Sequence, residues 1–217
     1  MKRIVILYHA DCPDGFGAAF AAWKCFGKSA DYIPIYHQTP PPKGLEDKDI
    51  YQLDITYFGK DLENLISKNS VTTIDHHISA KSAVEKAHQY YYALDHSGAV
   101  LAWKFFNPKK KVPQLLRYIE NLDLWKFTLP RAKEITAVIS GTPFDFKKWD
   151  LVMKTLETVK GRKGFAIRGA AMLEYQSRLI RELVDKAEDA VFTGKRVAVV
   201  NCAASDSLKS YVGAALV

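Results

Sequence analysis

The sequence has no hydrophobic run long enough to cross a membrane. Apolar residues make up 48% of the 217 residues, but they are dispersed, and a membrane-spanning helix needs roughly 20 in a row. The apolar stretch from Ile4 to Tyr8 is also shorter than the about 7–15 residues of a signal-peptide core. We therefore predict no membrane partner, and we interpret this stretch as a first β-strand.

Cysteine is scarce, and several common catalytic motifs are absent. The three cysteines, Cys12, Cys25 and Cys202, are an odd number without the spacing of a disulfide framework, which favours a reducing, cytoplasmic setting. There is no Gly-x-Ser-x-Gly, no Walker loop and no Cys-x-x-Cys. Serine hydrolases with a nucleophile elbow, P-loop enzymes and thioredoxin-like redox proteins are thereby disfavoured.

Negative charge is outnumbered by positive charge. The formal net charge is +7 and the sequence pI is about 9.2, which is a weak indication of an anionic partner. The basic residues are spread along the chain, with small clusters at Lys109–Lys111, Lys147–Lys148 and Arg162–Lys163. Each cluster taken alone is typical of an ordinary solvated surface.

The first hundred residues alternate between strand and helix patterns. We predict strands at 3–8, 31–36, 50–54, 71–74 and 90–94, with helices at 15–26, at 59–68 and after Ser97, which we expect to be an N-cap. This alternation predicts an α/β fold: a doubly wound, mainly parallel sheet flanked by helices.

The rest of the chain is predicted to be mostly helical. We expect helices over 112–158, a break at "KGRKG", a long helix over about 165–190, one strand in "GKRVAVVN" and a helix from Ser205. We divide the chain into a first domain (1–158), a connector helix (159–190) and the beginning of a second domain (191–217). That last part would be incomplete, because a lone strand and helix cannot build a core.

Acids and imidazoles follow three of the predicted strands. They are His9, Asp11 and Asp14 after the first strand, Asp54 at the end of the third, and Asp75, His76 and His77 at the end of the fourth. Ligands of doubly wound sheets bind beyond the carboxyl ends of the strands, and converging carboxylates are costly unless a cation lies among them. Aspartates also serve as helix caps, but that alternative explains Asp14 alone better than it explains the whole set.

The chemistry of these side chains indicates which metal they would hold. Mixed histidine and aspartate ligation suits Mn²⁺, with Mg²⁺, Co²⁺ and Zn²⁺ as alternatives. The candidates outnumber the ligands that one ion needs. Two ions about 3.5–4 Å apart with a bridging carboxylate fit better, and such pairs hydrolyse phosphate esters.

Four segments in order resemble the motifs of the DHH phosphoesterase superfamily: "HADCPDG", "LDITYF", "IDHH" and "NLDLW". The segment "DHSGAVLAWKFF" also resembles the serine-capped helix that follows in that family. The likeness covers about residues 1–125 closely and the long helix and later strand more loosely. It implies a DHH catalytic domain, a connector helix and the start of a substrate-binding domain of the kind that accompanies it.

The resemblance also implies roles for individual residues. The ligands of the first ion would be His9, Asp11 and Asp54. Those of the second ion would be Asp14, Asp54, His76 and Asp123, so Asp54 would bridge the two ions. His77 would face the substrate phosphate as a catalytic group, and Asp75 would orient His76 from behind. Asp123 lies in a helical pattern, so its segment must fold back over the sheet edge.

The first motif departs from the family pattern at one position. The family often has His-x-Asp-x-Asp, whereas Cys12 and Pro13 separate the two aspartates here by one residue more. Either Asp11 is a ligand, or the loop bulges and Asp11 only supports it. A cysteine at such a place is more often a small buried residue than a soft ligand.

The resemblance implies a Mn²⁺-dependent phosphodiesterase acting on short oligonucleotides or dinucleotides, similar to oligoribonucleases. Its partner would be a phosphate-containing small molecule or a short nucleic acid, and a homodimer is an open alternative. A pyrophosphatase or other small-phosphate hydrolase remains a second candidate. The third is a non-catalytic module that binds metal or nucleic acid, since a fold does not fix a function.

Overall fold

Five short segments of the first hundred residues form one parallel sheet. The computed structural model describes residues 2–202 and 206–216. The strands are β1 (Arg3–His9), β2 (Ala30–Ile35), β3 (Lys48–Leu53), β4 (Ser70–Asp75) and β5 (Gln89–Tyr92), in the spatial order β2-β1-β3-β4-β5. All four neighbouring pairs are parallel. The predicted α/β fold with a mainly parallel sheet is confirmed.

The order of the strands creates a switch point between β1 and β3. The connecting helices are α1 (Pro13–Phe26), α2 (Gly59–Lys68), α3 (Lys81–Val84) and α4 (Gly98–Phe106). From β1 the chain runs through α1 to β2 on one side, and it then returns to β3 on the other side of β1. Crevices of this kind, beyond the carboxyl ends of the strands, are where doubly wound sheets bind ligands.

Both faces of the sheet are covered, because alternate strand residues point to opposite sides. Ile6 of β1 belongs to a large core with α1 and α4, whereas Val5 and Leu7 belong to a second core with α2. Small residues let α1 and α4 approach closely: a Cβ added to Gly17 would lie 2.8 Å from the Cβ of Ala99. The two helices therefore begin side by side at the carboxyl edge of the sheet.

Four helices continue the larger core. They are α5 (Gln114–Asp123), α6 (Ala132–Ser140), α7 (Phe146–Leu156) and α8 (Val159–Val184). Leu116 and Ile119 of α5 are fully buried in the core that α1 and α4 share. This packing brings the last residue of α5, Asp123, back to the edge of the sheet, as the resemblance predicted.

The predicted break at 160–164 is wrong, because these residues lie inside α8. The helix begins at Val159, where Thr158 caps it by accepting a hydrogen bond from the Gly161 amide at 2.9 Å. It ends at Val184, six residues before the predicted end at 190.

The segment after α8 contains a hairpin where one strand was predicted. β6 (Glu188–Phe192) pairs antiparallel with β7 (Lys195–Val199). The turn residues Thr193 and Gly194 have φ of 50° and 77°, as a tight hairpin turn requires. The final helix, α9, spans Asp206–Ala215; its predicted start at Ser205 lies outside the described residues.

In the described part of the chain, none of the helices combines the length and apolar character that crossing a bilayer demands.

Candidate metal centre

Three strand ends of the sheet meet around the carboxyl group of Asp54. His9 is the last residue of β1, Asp54 follows β3, and His76 follows β4. Asp54 has a left-handed backbone, with φ of 57°, while its amide donates to the Ile74 carbonyl at 2.9 Å. A non-glycine residue in this conformation costs roughly 1–3 kcal/mol and persists mainly at functional sites.

The two oxygens of Asp54 face different imidazoles. Oδ2 lies 3.3 Å from His9 Nδ1, and Oδ1 lies 3.3 Å from His76 Nε2. Asp54 is only 1% exposed. A carboxylate that presents each oxygen to a separate group of potential ligands has the arrangement of a bridging ligand.

A second group of side chains surrounds His76. Its Nε2 lies 3.5 Å from Asp123 Oδ2 and 3.8 Å from Asp14 Oδ2. Donor atoms of Asp14, His76 and Asp123 all lie within 4.8 Å of one another, and the same holds for Asp54, His76 and His77. Among the residues that the structure describes, the acidic and imidazole groups at the sheet edge could thus hold a metal ion.

Two buried atoms at the centre of this arrangement have no hydrogen-bond partner among the residues that the structure describes: Asp54 Oδ1 and His76 Nε2. Leaving a buried polar group unpaired costs about 1–3 kcal/mol, and more where it is charged. A divalent cation between these atoms would satisfy both, because carboxylate oxygen and neutral imidazole nitrogen are both metal donors. The donor set therefore fits a metal ion.

The acids of the centre repel one another. Burial raises the pKa of Asp14 well above its usual range, and the neighbouring Asp54 and Asp123 raise it further. Burial and Asp54 raise the pKa of Asp123 to about 6. The pKa of Asp54 is lowered: burial acts to raise it, but the nearby imidazoles of His76, His9 and His77 favour the ionised carboxylate and outweigh burial. A bound divalent cation would favour the ionised form of all three.

Asp14 also fixes the beginning of α4. Its two carboxylate oxygens accept hydrogen bonds from the amides of Gly98 at 2.7 Å and Ala99 at 3.0 Å. Ser97, the predicted cap, accepts from the Val100 amide, so that prediction is confirmed. A carboxylate oxygen has two lone pairs, which leaves acceptor capacity on Asp14 toward His76.

Gly98 lies against Asp54, and this contact supplies a test. A Cβ at Gly98 would lie 2.7 Å from Asp54 Oδ1 and 2.7 Å from its Cβ, so we expect Gly98→Ala to displace Asp54. The overpacking should lower the free energy of unfolding by about 1–3 kcal/mol and weaken metal binding. Chemical denaturation and a Mn²⁺ titration would measure the two effects.

Gly164→Ala is the matched control for that test. Gly164 also lies in a helix, but an added Cβ there would meet nothing within 4 Å. We expect it to leave metal binding unchanged and to stabilise the protein by up to about 1 kcal/mol, since alanine is the better helix former. Equal metal affinity in the two variants would contradict the role given to Gly98.

Asp75 holds His77, and the prediction that it orients the His76 ring is corrected. Its Oδ1 accepts from His77 Nδ1 at 2.7 Å and from the backbone amides of His76 and His77. Its Oδ2 accepts from the Thr56 hydroxyl at 2.6 Å. The hydrogen bond that His77 Nδ1 donates to Asp75 raises the pKa of His77 to about 9, although burial opposes this effect. Nε2 is then the ring nitrogen that can meet a substrate.

Asp11 and Cys12 differ in how near they lie to the other candidate ligands. Asp11 is exposed, has a φ of 52° and belongs to no group of potential metal ligands within the described residues. The Cys12 thiol instead lies within 4.8 Å of donor atoms of His9 and Asp54. Burial raises the pKa of this thiol, and the charges of Asp54 and Asp14 add to the effect.

A cleft of about 230 Å³ opens beside the acidic and imidazole groups. The side chains of His9, Asp14 and Asp123 line it together with two aromatic rings, Trp125 after α5 and Tyr211 of α9. Those ring centroids are 5.3 Å apart. No sequence signal pointed to Tyr211, because only the packing of α9 near the end of α5 brings it here.

Comparisons with known proteins support the fold but name no activity. No protein-family model matches the sequence. An uncharacterized protein of Acanthamoeba polyphaga mimivirus is 27% identical over 228 residues, covering 96% of this chain and 53% of the relative. The chain thus spans about half the length of the curated relative that it matches.

A solved structure of an uncharacterized protein from Helicobacter pylori is similar in fold. It aligns with a TM-score of 0.58 over 77% of this chain and 60% of its own, at 14% sequence identity. Identity this low is evidence for a shared α/β fold alone. Support for a metal centre therefore comes from the geometry of the site and not from these comparisons.

Proposed function

We propose that the protein is a phosphoesterase of the DHH type, which hydrolyses phosphodiester bonds in short oligonucleotides or dinucleotides with two divalent cations, preferably Mn²⁺. The observation that carries this proposal is the convergence on Asp54 of side chains from three strand ends and α5, with Asp54 Oδ1 and His76 Nε2 buried and unpaired. The four motifs that resemble the DHH superfamily contribute these same side chains.

The residues divide into two sets around Asp54. His9 and Asp54 would hold the first ion; Asp14, Asp54, His76 and Asp123 would hold the second. Paired divalent cations lower the pKa of bound water and offset the charge that grows on phosphoryl oxygens. His77, oriented by Asp75, would donate to a phosphoryl oxygen or to the leaving group.

The cleft favours a nucleotide over pyrophosphate. Its walls carry Trp125 and Tyr211 next to Asp123, and aromatic rings stack on nucleobases regardless of base identity. The residues that line the cleft in the described part of the chain include no lysine or arginine, which a pyrophosphatase would use to grip two phosphates. The net charge of +7 suits a polyanionic substrate at longer range.

A substrate panel tests the proposal. The metal-free protein is supplied with Mn²⁺ and incubated separately with a labelled short RNA, a dinucleotide and pyrophosphate. We expect release of mononucleotides from the first two, loss of turnover with a chelator, and recovery when Mn²⁺ is restored. Hydrolysis of pyrophosphate alone would select the second candidate. Binding of metal without turnover of any phosphate compound would favour a non-catalytic module.

A further inference from the structure

Cys12 is held in place at the tight connection between β1 and α1. It precedes α1 with an extended backbone, its carbonyl accepts a hydrogen bond from the Phe16 amide at 3.0 Å, and Pro13 begins the helix. The first turn of α1 presses on the end of β1, since a Cβ at Gly15 would lie 2.2 Å from the His9 carbonyl oxygen. This close approach brings the Cys12 thiol beside the His9 ring.

The three donor atoms of His9, Cys12 and Asp54 are close enough to share one ion. All lie within 4.8 Å of one another. Two donors at about 2.0–2.3 Å from the same cation are at most about 4.6 Å apart, so small side-chain adjustments suffice. Asp54 is 1% exposed and reaches this set through Oδ2, which lies 3.3 Å from His9 Nδ1, while its unpaired Oδ1 faces His76.

We infer that Cys12, and not Asp11, is the third protein ligand at the first metal position, and that this position selects a thiophilic cation such as Zn²⁺ or Co²⁺. The inference rests on the metal centre of the proposed function. The two positions then differ in chemistry. One nitrogen, one sulfur and one oxygen donor favour softer ions, whereas the largely carboxylate set at His76 suits Mn²⁺ or Mg²⁺.

Cobalt absorption spectroscopy tests this assignment without an activity measurement. Co²⁺ is titrated into the metal-free protein, and we expect a thiolate-to-cobalt charge-transfer band that saturates at one ion per chain. Cys12→Ser should lose the band and lower the preference for Zn²⁺ over Mn²⁺ at least about tenfold, the scale on which ligand-sphere changes act. Cys25→Ser, at an exposed position of α1, is the matched control and should keep both.

Alkylation of the unmodified protein gives a second measurement that needs no variant. Because burial and the neighbouring acids raise the pKa of the Cys12 thiol, iodoacetamide should label it only slowly, at alkaline pH and long exposure, in the metal-free protein. Zn²⁺ should block that slow labelling, while Cys25 is labelled equally in both states. If Zn²⁺ protects Cys12 from alkylation no more than it protects Cys25, the inference is overturned.

The outcomes separate this inference from the proposed function. The role of Cys12 would be overturned if Co²⁺ binds without the thiolate-to-cobalt band, or if the band persists in Cys12→Ser. Neither result would contradict the metal centre itself. A chain that binds no divalent cation would overturn both.

Discussion

Asp54→Asn should abolish turnover and the stabilisation of the protein by Mn²⁺. Asp54 is the side chain that both sets of potential ligands share, through Oδ2 toward His9 and Oδ1 toward His76. Asparagine keeps the size of the side chain but replaces one oxygen with an amide group, which does not bind a cation. The substitution therefore weakens both metal positions at once.

The expected magnitudes are large. Removing a residue that hydrogen-bonds to a metal ligand typically costs 10–100-fold in metal affinity or activity. Asp54 is itself the proposed bridging ligand, so its loss should reduce turnover at least about a hundredfold. Mn²⁺ at one hundred times its dissociation constant stabilises the native state by about 2.7 kcal/mol. For a chain of 217 residues this raises the Tm by roughly 5–10 °C, and Asp54→Asn should remove that rise.

Thermal melts with and without Mn²⁺, together with the turnover assay, measure both effects. Asp185→Asn makes the same change of charge at an exposed position just after α8, and we expect it to retain the full Mn²⁺-induced rise. A Tm rise in Asp54→Asn that matches the rise in the control would mean that the ions bind elsewhere.

The sheet and the strand ends were predictable because their signals are local. A β-branched run that stops at Asp75 and His76 marks both a strand and its carboxyl end, and the same holds for β1 at His9. Parallel strands then place these ends at one edge without further information. The packing of α5 was not local, yet the ligand role that the DHH resemblance implies for Asp123 predicted that its segment folds back.

The error at 160–164 has a physical cause, which is packing of α8 against the preceding helices. Glycine costs about 1 kcal/mol in a helix, so "KGRKG" indicates a break. In α8, however, glycines permit close approach: a Cβ at Gly161 would lie 1.9 Å from the Thr155 carbonyl oxygen, and one at Gly169 would lie 1.8 Å from that of Glu134. Packing against α6 and α7 thus outweighs propensity.

Two details of the site lay beyond any sequence pattern. Asp75 is adjacent to one histidine and two residues from another, and only the turn after β4 decides that its oxygen meets Nδ1 of His77. The preference for Cys12 over Asp11 likewise depends on the left-handed backbone of Asp11, with its φ of 52°. The order of residues in the sequence does not determine which way these side chains point.

His77→Asn should reduce turnover by about 10²–10³, the effect of removing one donor to a developing negative charge, while both metal positions stay filled. Nδ1 of His77 is engaged by Asp75 at 2.7 Å and lies 3.9 Å from the nearest oxygen of Asp54. Its side chain is 42% exposed, in contrast to the 10% of His76. These positions fit a group that meets substrate better than one that holds an ion.

Asparagine is chosen because its amide can still donate to Asp75, while nothing occupies the position of the imidazole Nε2. The matched control is His88→Asn. His88 accepts a hydrogen bond from the Val71 amide near the start of β4, at the opposite edge of the sheet, so we expect full turnover there. Metal content by mass spectrometry and kcat with a labelled dinucleotide are measured for both variants.

The same pair of measurements separates a donor from a ligand. If His77 acts on substrate, kcat falls, the Mn²⁺ content stays that of the unmodified protein, and excess Mn²⁺ restores nothing. If His77→Asn instead loses one ion per chain and recovers its turnover at high Mn²⁺, His77 is a ligand together with Asp54 and His76, as their mutual distances below 4.8 Å also permit. The hydrogen bond from Nδ1 to Asp75 favours the first outcome, because that nitrogen would have to leave Asp75 before it could coordinate an ion next to Asp54.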